Sequence, residues 1–220
     1  MKFDIRYKPA FSCLFVTLAP GETFVSEAGA MVSMDAHLAM RTQFSGGFFS
    51  ALMRFFFGGE SLFMNTFTNV GQAPAELVIS QSIVGDIAAV PLRGRTLCLQ
   101  PGAFIACTPG VQLGVEWAGF KSLILGEGLF RLKVSGDGTV FFGGYGGITQ
   151  LQVDQELVVD TGHLIAYEPA LSINLGLVSG IVGSVTSGEG LVNRLRGQGT
   201  VYLQSRTIGG LVKFLRPKAR

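Results

Sequence analysis

Two histidines, three cysteines and a recurring glutamate are the residues of this chain whose types could do chemistry. His37 and His163 have no second donor at HxxH, HExxH or CxxH spacing, so no metal site is expected. His163 stands between Asp160 and Glu168, and the three form a candidate polar site. A carboxylate there could orient the imidazole as a general base, or simply hold a partly buried structural histidine, which is the commoner arrangement. Cys13, Cys98 and Cys107 are odd in number, lack CxxC spacing and sit among apolar neighbours. They read as buried, inert thiols in a reducing interior and not as a disulfide framework.

Glu60, Glu127 and Glu189 follow glycine at one station in GGESLF (58–63), LGEGLF (125–130) and SGEGLV (187–192). Repetition suits a structural acid that closes a turn on backbone N–H groups better than catalysis, which usually needs chemically different groups at one point. A symmetric ion or ligand site is the alternative. SGDGT (135–139) and RGQGT (196–200) carry no GK[ST] and are no phosphate loops; FFGGYGG (141–147) is too loose for a dinucleotide fingerprint, and no GxSxG elbow occurs. No catalytic residue, metal or cofactor is therefore expected.

The elements that position these residues repeat. EAGAMVSM (27–34), QPGAFIAC (100–107) and DTGHLIAY (160–167) each place an apolar strand after Gly29, Gly102 or Gly162. The acidic signature follows each of them, and SGDGTVFF (135–142) matches RGQGTVYL (196–203), with a looser counterpart near 71–80. One order of elements met three times argues for triplication of a β unit of about 60–73 residues. The units run over about 3–80, 81–145 and 146–206, within a single body of 1–212 followed by a basic tail, 213–220. Short runs of Val, Ile, Leu, Phe and Thr between PG, GG, SG and DG turns predict an all-β fold. Long helical periodicity is missing, which argues against a parallel sheet with helical crossovers. Three equivalent units can share a core and cover one another's strand edges around a pseudo-threefold axis.

Composition agrees. The 220 residues are 48% apolar and 15% charged, enough for a sizeable core, and the 31 glycines follow no period of three. The formal charge of +2 is carried by Lys213, Arg216, Lys218 and Arg220. Without them the chain is slightly acidic and has no basic run to replace counterions, so nucleic-acid binding is not expected. Asp4, Arg6 and Lys8 interrupt the N-terminal stretch where a signal peptide would be apolar, which makes a cytoplasmic location the expectation.

Three glycine-framed connectors, 45–59, 117–126 and 175–188, are apolar but too interrupted for membrane spans. They could close the core, or join on one face as a contact for a second copy, a protein partner or a membrane surface. Phe48, Phe49, Phe55, Phe56, Phe57 and Phe120 are the candidate interface residues.

With GESLF, GEGLF, SGDGTVFF, DTGHLIAY, SGEGLV and GQGTVYLQSR assembled, the chain resembles the bacterial branch of the altered-inheritance-of-mitochondria family over about residues 3–206. The resemblance implies a triplicated fold similar to the tryptophan-RNA-binding attenuator protein, of the shortened double-stranded β-helix type. Its VDTGH signature falls on Val159, Asp160, Thr161, Gly162 and His163. Its VYxQTR ending falls on Val201, Tyr202, Gln204, Ser205 and Arg206, where Ser205 keeps the hydroxyl of the usual Thr. It implies no catalytic residue. Eukaryotic members are associated with mitochondrial inner-membrane organisation, but the N-terminus here does not read as a transit segment, so that location is not carried over. The leading expectation is a non-enzymatic structural or interaction protein, homo-oligomeric and peripheral to the inner membrane in one form of the reading. The alternatives are a small-ligand-binding protein or cryptic enzyme near His163 and, last, a nucleic-acid-binding protein.

Overall fold

The structure, a computed structural model, describes residues 1–44, 63–117, 130–177 and 191–216. In β2 (Cys13–Leu18) the apolar residues Leu14, Val16 and Leu18 alternate with half-buried ones, the period of a strand with one face in a core. Around it in the first 80 residues lie β1 (Lys2–Arg6), β3 (Thr23–Glu27), β4 (Met31–Met34), β5 (Leu38–Phe44), β6 (Phe63–Asn69) and β7 (Ala75–Ser80). Next come β8 (Gly85–Pro91), β9 (Leu97–Leu99), β10 (Phe104–Cys107), β11 (Val111–Trp117), β12 (Phe130–Gly136) and β13 (Thr139–Tyr145). Then follow β14 (Ile148–Val153), β15 (Glu156–Asp160), a 3-10 turn (Thr161–His163), β16 (Leu164–Tyr167), β17 (Ser172–Leu177), β18 (Leu191–Arg196) and β19 (Gly199–Gln204). A helix, α1 (Ile208–Leu215), completes the described chain. The fold is thus nearly all-β, in several antiparallel sheets.

One ladder recurs along the chain. β5 pairs with β6 and β6 with β3, as β11 pairs with β12 and β12 with β9, and as β17 pairs with β18 and β18 with β15. Likewise β2, β7 and β4 lie side by side, as do β8, β13 and β10, and β14, β19 and β16. Even the irregularity repeats: the register slips between Met31 and Ser33, between Phe104 and Ala106, and between Leu164 and Ala166. A bulge re-aims the side chains of its strand. Here it frees Ile105 and Ile165 to point away from their own unit.

Strand pairing also joins the units. β3 pairs with β10 and β9 with β16, giving two six-stranded sheets, β5-β6-β3-β10-β13-β8 and β11-β12-β9-β16-β19-β14. The remaining strands form a sheet β1-β2-β7-β4 and a sheet β15-β18-β17. The sequence led us to expect mutual covering of every unit edge; among the described residues the pairing covers two junctions, and β15 has no ladder with β4.

The cores lie between successive sheets and are shared. Leu14, Phe24, Phe67 and Leu77 of the first unit pack with Ile87, Ile105, Ala106 and Phe141 of the second. Leu99, Phe104, Val134 and Phe142 pack with Met64 on one side and with Ile165, Ala166 and Tyr202 on the other. Val159, Leu164, Leu195 and Val201 pack with Cys98. Where the units start, the backbones cross closely: Ser12 N donates to Gly85 O at 3.0 Å and Asp86 N to Gly146 O at 2.8 Å. Gly85 is required there, because a Cβ would overlap the carbonyl oxygen of Gly144. The buried Asp86 carboxylate accepts from Ser12 Oγ at 2.7 Å and Ile87 N at 2.8 Å, with Lys8 Nζ at 3.2 Å, so its charge is paired and hydrogen-bonded.

The sequence division at 212/213 is not a structural one, since α1 runs across it. Thr207 caps the helix by accepting from Gly210 N at 3.0 Å, and Lys213 sits in its last turn, where a cation suits the helix dipole.

Candidate functional site

Asp160 ends β15 and turns the chain: its carboxylate accepts from Gly162 N at 2.9 Å, capping the 3-10 turn. That turn explains why Gly162, unlike Gly29 and Gly102, is not left-handed. His163 closes the turn. Its Nδ1 lies 2.6 Å from the carbonyl oxygen of Gln204, which can only accept, so Nδ1 carries the proton and Nε2 is left as an acceptor in the neutral ring.

Gln204 is the hub of this corner. Its Oε1 accepts from Tyr145 N at 2.8 Å and its Nε2 donates to Gly162 O at 2.7 Å, so one amide ties the end of β13 to the turn before β16. Ser205 Oγ accepts from Gly147 N at 2.9 Å and ties the chain after β19 to the chain after β13. Beside them opens a groove of about 520 Å³, lined by Tyr145, His163, Ser205, Arg206, Leu211 and Phe214. Among the described residues Arg206 forms no ion pair; its Nη1 donates to the Ser205 carbonyl at 3.3 Å. The groove therefore joins a cationic and hydroxyl-bearing floor to an apolar wall supplied by α1.

Glu168 is not part of it. The residue lies beyond the far end of β16, on the order of 15 Å along the strand from His163 at about 3.3 Å per residue. There its Oε2 accepts from Thr200 N at 2.9 Å and its Oε1 lies 3.6 Å from Arg95 Nη1. The candidate trio of Asp160, His163 and Glu168 thus divides: Asp160 and His163 share a turn, and Glu168 braces another junction. An extended strand separates residues that look adjacent in sequence. With Asp160 engaged by its own backbone and Nδ1 by a carbonyl, the corner has the bonding of a structural knot and not of an orienter, base and nucleophile in line.

Glu60, Glu127 and Glu189 lie outside the described residues, as do Phe48, Phe49, Phe55, Phe56, Phe57 and Phe120. Among the described residues no three His, Cys, Asp or Glu side chains gather as a metal site, and no helix is long and apolar enough to cross a membrane. Cys98 and Cys107 are buried and Cys13 is half-buried, and none of the three is in a disulfide. Burial pushes the Cys107 thiol up to about 12, which leaves it protonated and unreactive at neutral pH. The Tyr167 phenol is also raised by burial; its oxygen accepts from Arg131 Nη1 at 2.7 Å.

Sequence reasoning named Gln204 within the VYxQTR ending without placing it at this corner, and it missed α1. The VYLQSR stretch held the first signal, and Thr207 three residues ahead of Gly210, opening IGGLVKFL, held the second. The family model for "Mitochondrial biogenesis AIM24" matches residues 3–206, nearly all of the β-strand body. The chain belongs to the AIM24 family. Its similarity to an uncharacterised protein of Streptococcus pyogenes serotype M6, M6_Spy0233, is 28% identity over 228 residues, covering 98% of this chain and 91% of that protein. A crystal structure of the Streptococcus pyogenes protein SPYM3_0169 is similar at a TM-score of 0.76 and 26% identity, covering 97% of both chains. The AIM24 match stops at Arg206, so α1 lies just beyond the family's shared body.

Proposed function

We propose that the protein is a non-enzymatic structural and interaction protein, and that it docks on an anionic membrane surface through α1. The observation that carries this reading is the helix itself: Phe214 is 84% and Leu215 66% exposed, and none of its residues is buried. Ile208, Leu211, Val212 and Leu215 fall on one face at helical spacing, with Phe214 beside them. Arg216 borders that face, Lys213 lies on the opposite side of the helix, Lys218 and Arg220 follow in sequence, and no acid occurs after Arg206. Apolar side chains enter the boundary between headgroups and acyl chains, and each nearby Lys or Arg adds about 1 kcal/mol on an anionic surface. Arg206 and the hydroxyls of the groove beside α1 suit the phosphate of a headgroup.

Co-sedimentation with phosphatidylcholine vesicles, with and without phosphatidylglycerol, tests the reading. Binding is expected only to the anionic vesicles, reduced by salt and at least tenfold weaker in Phe214→Ser/Leu215→Ser. Equal sedimentation of the variant and the parent protein would overturn it.

The finer architecture is proposed on the same footing: three equivalent units of the shortened double-stranded β-helix type, supported by the ladder and the bulge that recur in each. A pseudo-threefold axis within one chain asks for a junction between β15 and β4. A second functional reading, a small amphipathic anion held beside His163, is favoured by the 520 Å³ groove with Arg206 at its floor.

A further inference from the structure

The two junctions between units have one construction. At the first, Ala106 of β10 pairs with Ser26 of β3 and Cys107 with Val25. At the second, Ala166 of β16 pairs with Leu99 of β9 and Tyr167 with Cys98. Counted from Gly29, Gly102 and Gly162, the residues at these stations in the remaining pair of strands are Ser33 opposite Val159 and Met34 opposite Val158. Among the described residues that pairing is not made: β4 has its ladder with β7 and β15 its ladder with β18.

The side chains agree with the ladders. At each closed junction the bulged strand sends an isoleucine into the core of the preceding unit, and Ile105 and Ile165 are 1% and 2% exposed. Val32 holds their station in β4 and is 59% exposed, with Met31 and Met34 exposed beside it. On the other side, Cys98 is wholly buried in the third core, whereas Val158 at its station in β15 is 45% exposed. The chain thus ends its series of units in two open edges, one of each kind, and each has the shape that the other kind accepts twice within the chain.

We infer that the β4 edge of one copy of this chain pairs with the β15 edge of a second copy, in the register Ser33 to Val159 and Met34 to Val158, with Val32 entering the partner's third core. The occupant is a second copy because the complementary edge exists on this chain and stands open at the same time. Unpaired edges with exposed apolar residues are otherwise an aggregation hazard. The contact is head-to-tail, so successive copies either close as a ring or continue as a filament. This inference is independent of membrane docking through α1.

The test is a cysteine pair across the seam. Directly opposed strand residues lie within reach of a disulfide, so Ser33→Cys and Val159→Cys proteins, both carrying Cys13→Ser, are mixed and mildly oxidised. A covalent dimer that needs both variants is expected. The double variant Ser33→Cys/Val159→Cys should give a ladder of multimers. If the double variant yields only an internally cross-linked monomer, the chain closes on itself and the inference fails. It fails equally if no cross-link forms. Light scattering after size exclusion should give the unmodified protein a mass that is a multiple of one chain. Val32→Asp, at an exposed position, should reduce that mass to one chain with an unchanged circular dichroism spectrum. A monomeric unmodified protein would also overturn the inference.

Discussion

Gln204 makes two side-chain hydrogen bonds to segments that belong to different units, and its backbone carbonyl takes a third from His163. Truncation leaves Tyr145 N and Gly162 O to find water in a half-buried corner. Gln204→Ala is therefore expected to lower unfolding stability by about 1–3 kcal/mol, read as a fall in the urea midpoint without a change in slope. At this scale the sequence was half legible. Asp160 and His163 could be placed in one turn, because DTGH leaves little room between them. Gln204 could not be placed, since it reaches His163 only when β19 lies beside β16, 41 residues away. Glu168 was misplaced by the same blindness to extension: four intervening strand residues carry it to another junction.

The strands were legible because period-two burial and glycine turns are local signals, as in β2 and in the positive φ of Gly29 and Gly102. α1 was not, since eight residues with two glycines give little periodicity and the cap at Thr207 is a single hydroxyl. Elements also explain where substitution is costly. Ile165 is a residue of β16 but packs in the core of the second unit. Ile165→Ala is expected to cost about 2–5 kcal/mol, the range for deleting a buried aliphatic side chain, as judged by denaturant unfolding. A stability change under 1 kcal/mol would show that the bulge does not anchor one unit in the next.

For the molecule as a whole, acid stability is set in part by carboxylates held in ion pairs. Arg194 and Arg196, each 3.0 Å away, hold the Glu156 carboxyl below its ordinary value of 4.5. The amino terminus and the backbone of Ala19 do the same for Glu22. Groups with a lowered folded value stabilise the native state above their unfolded value, and that contribution is lost as pH falls through the folded value. Stability is thus expected to decline below about pH 4.5. Glu156→Gln should flatten that limb of the profile in thermal melts and leave the neutral plateau nearly unchanged, because the pair is solvent-exposed. The nearly all-β fold was legible at this scale, but pairing was not: which edge meets which is decided by contacts such as Val25 with Cys107, far apart in sequence.

The sharing of cores has a consequence for how such a chain can be divided. Cutting between Ser80 and Gln81 separates Leu14, Phe24 and Phe67 from Ile87, Ile105 and Phe141, which complete their packing. The remainder loses Met64 and the strand that covers β10. A stretch that reads as one repeat in the sequence is therefore not a unit of folding on its own.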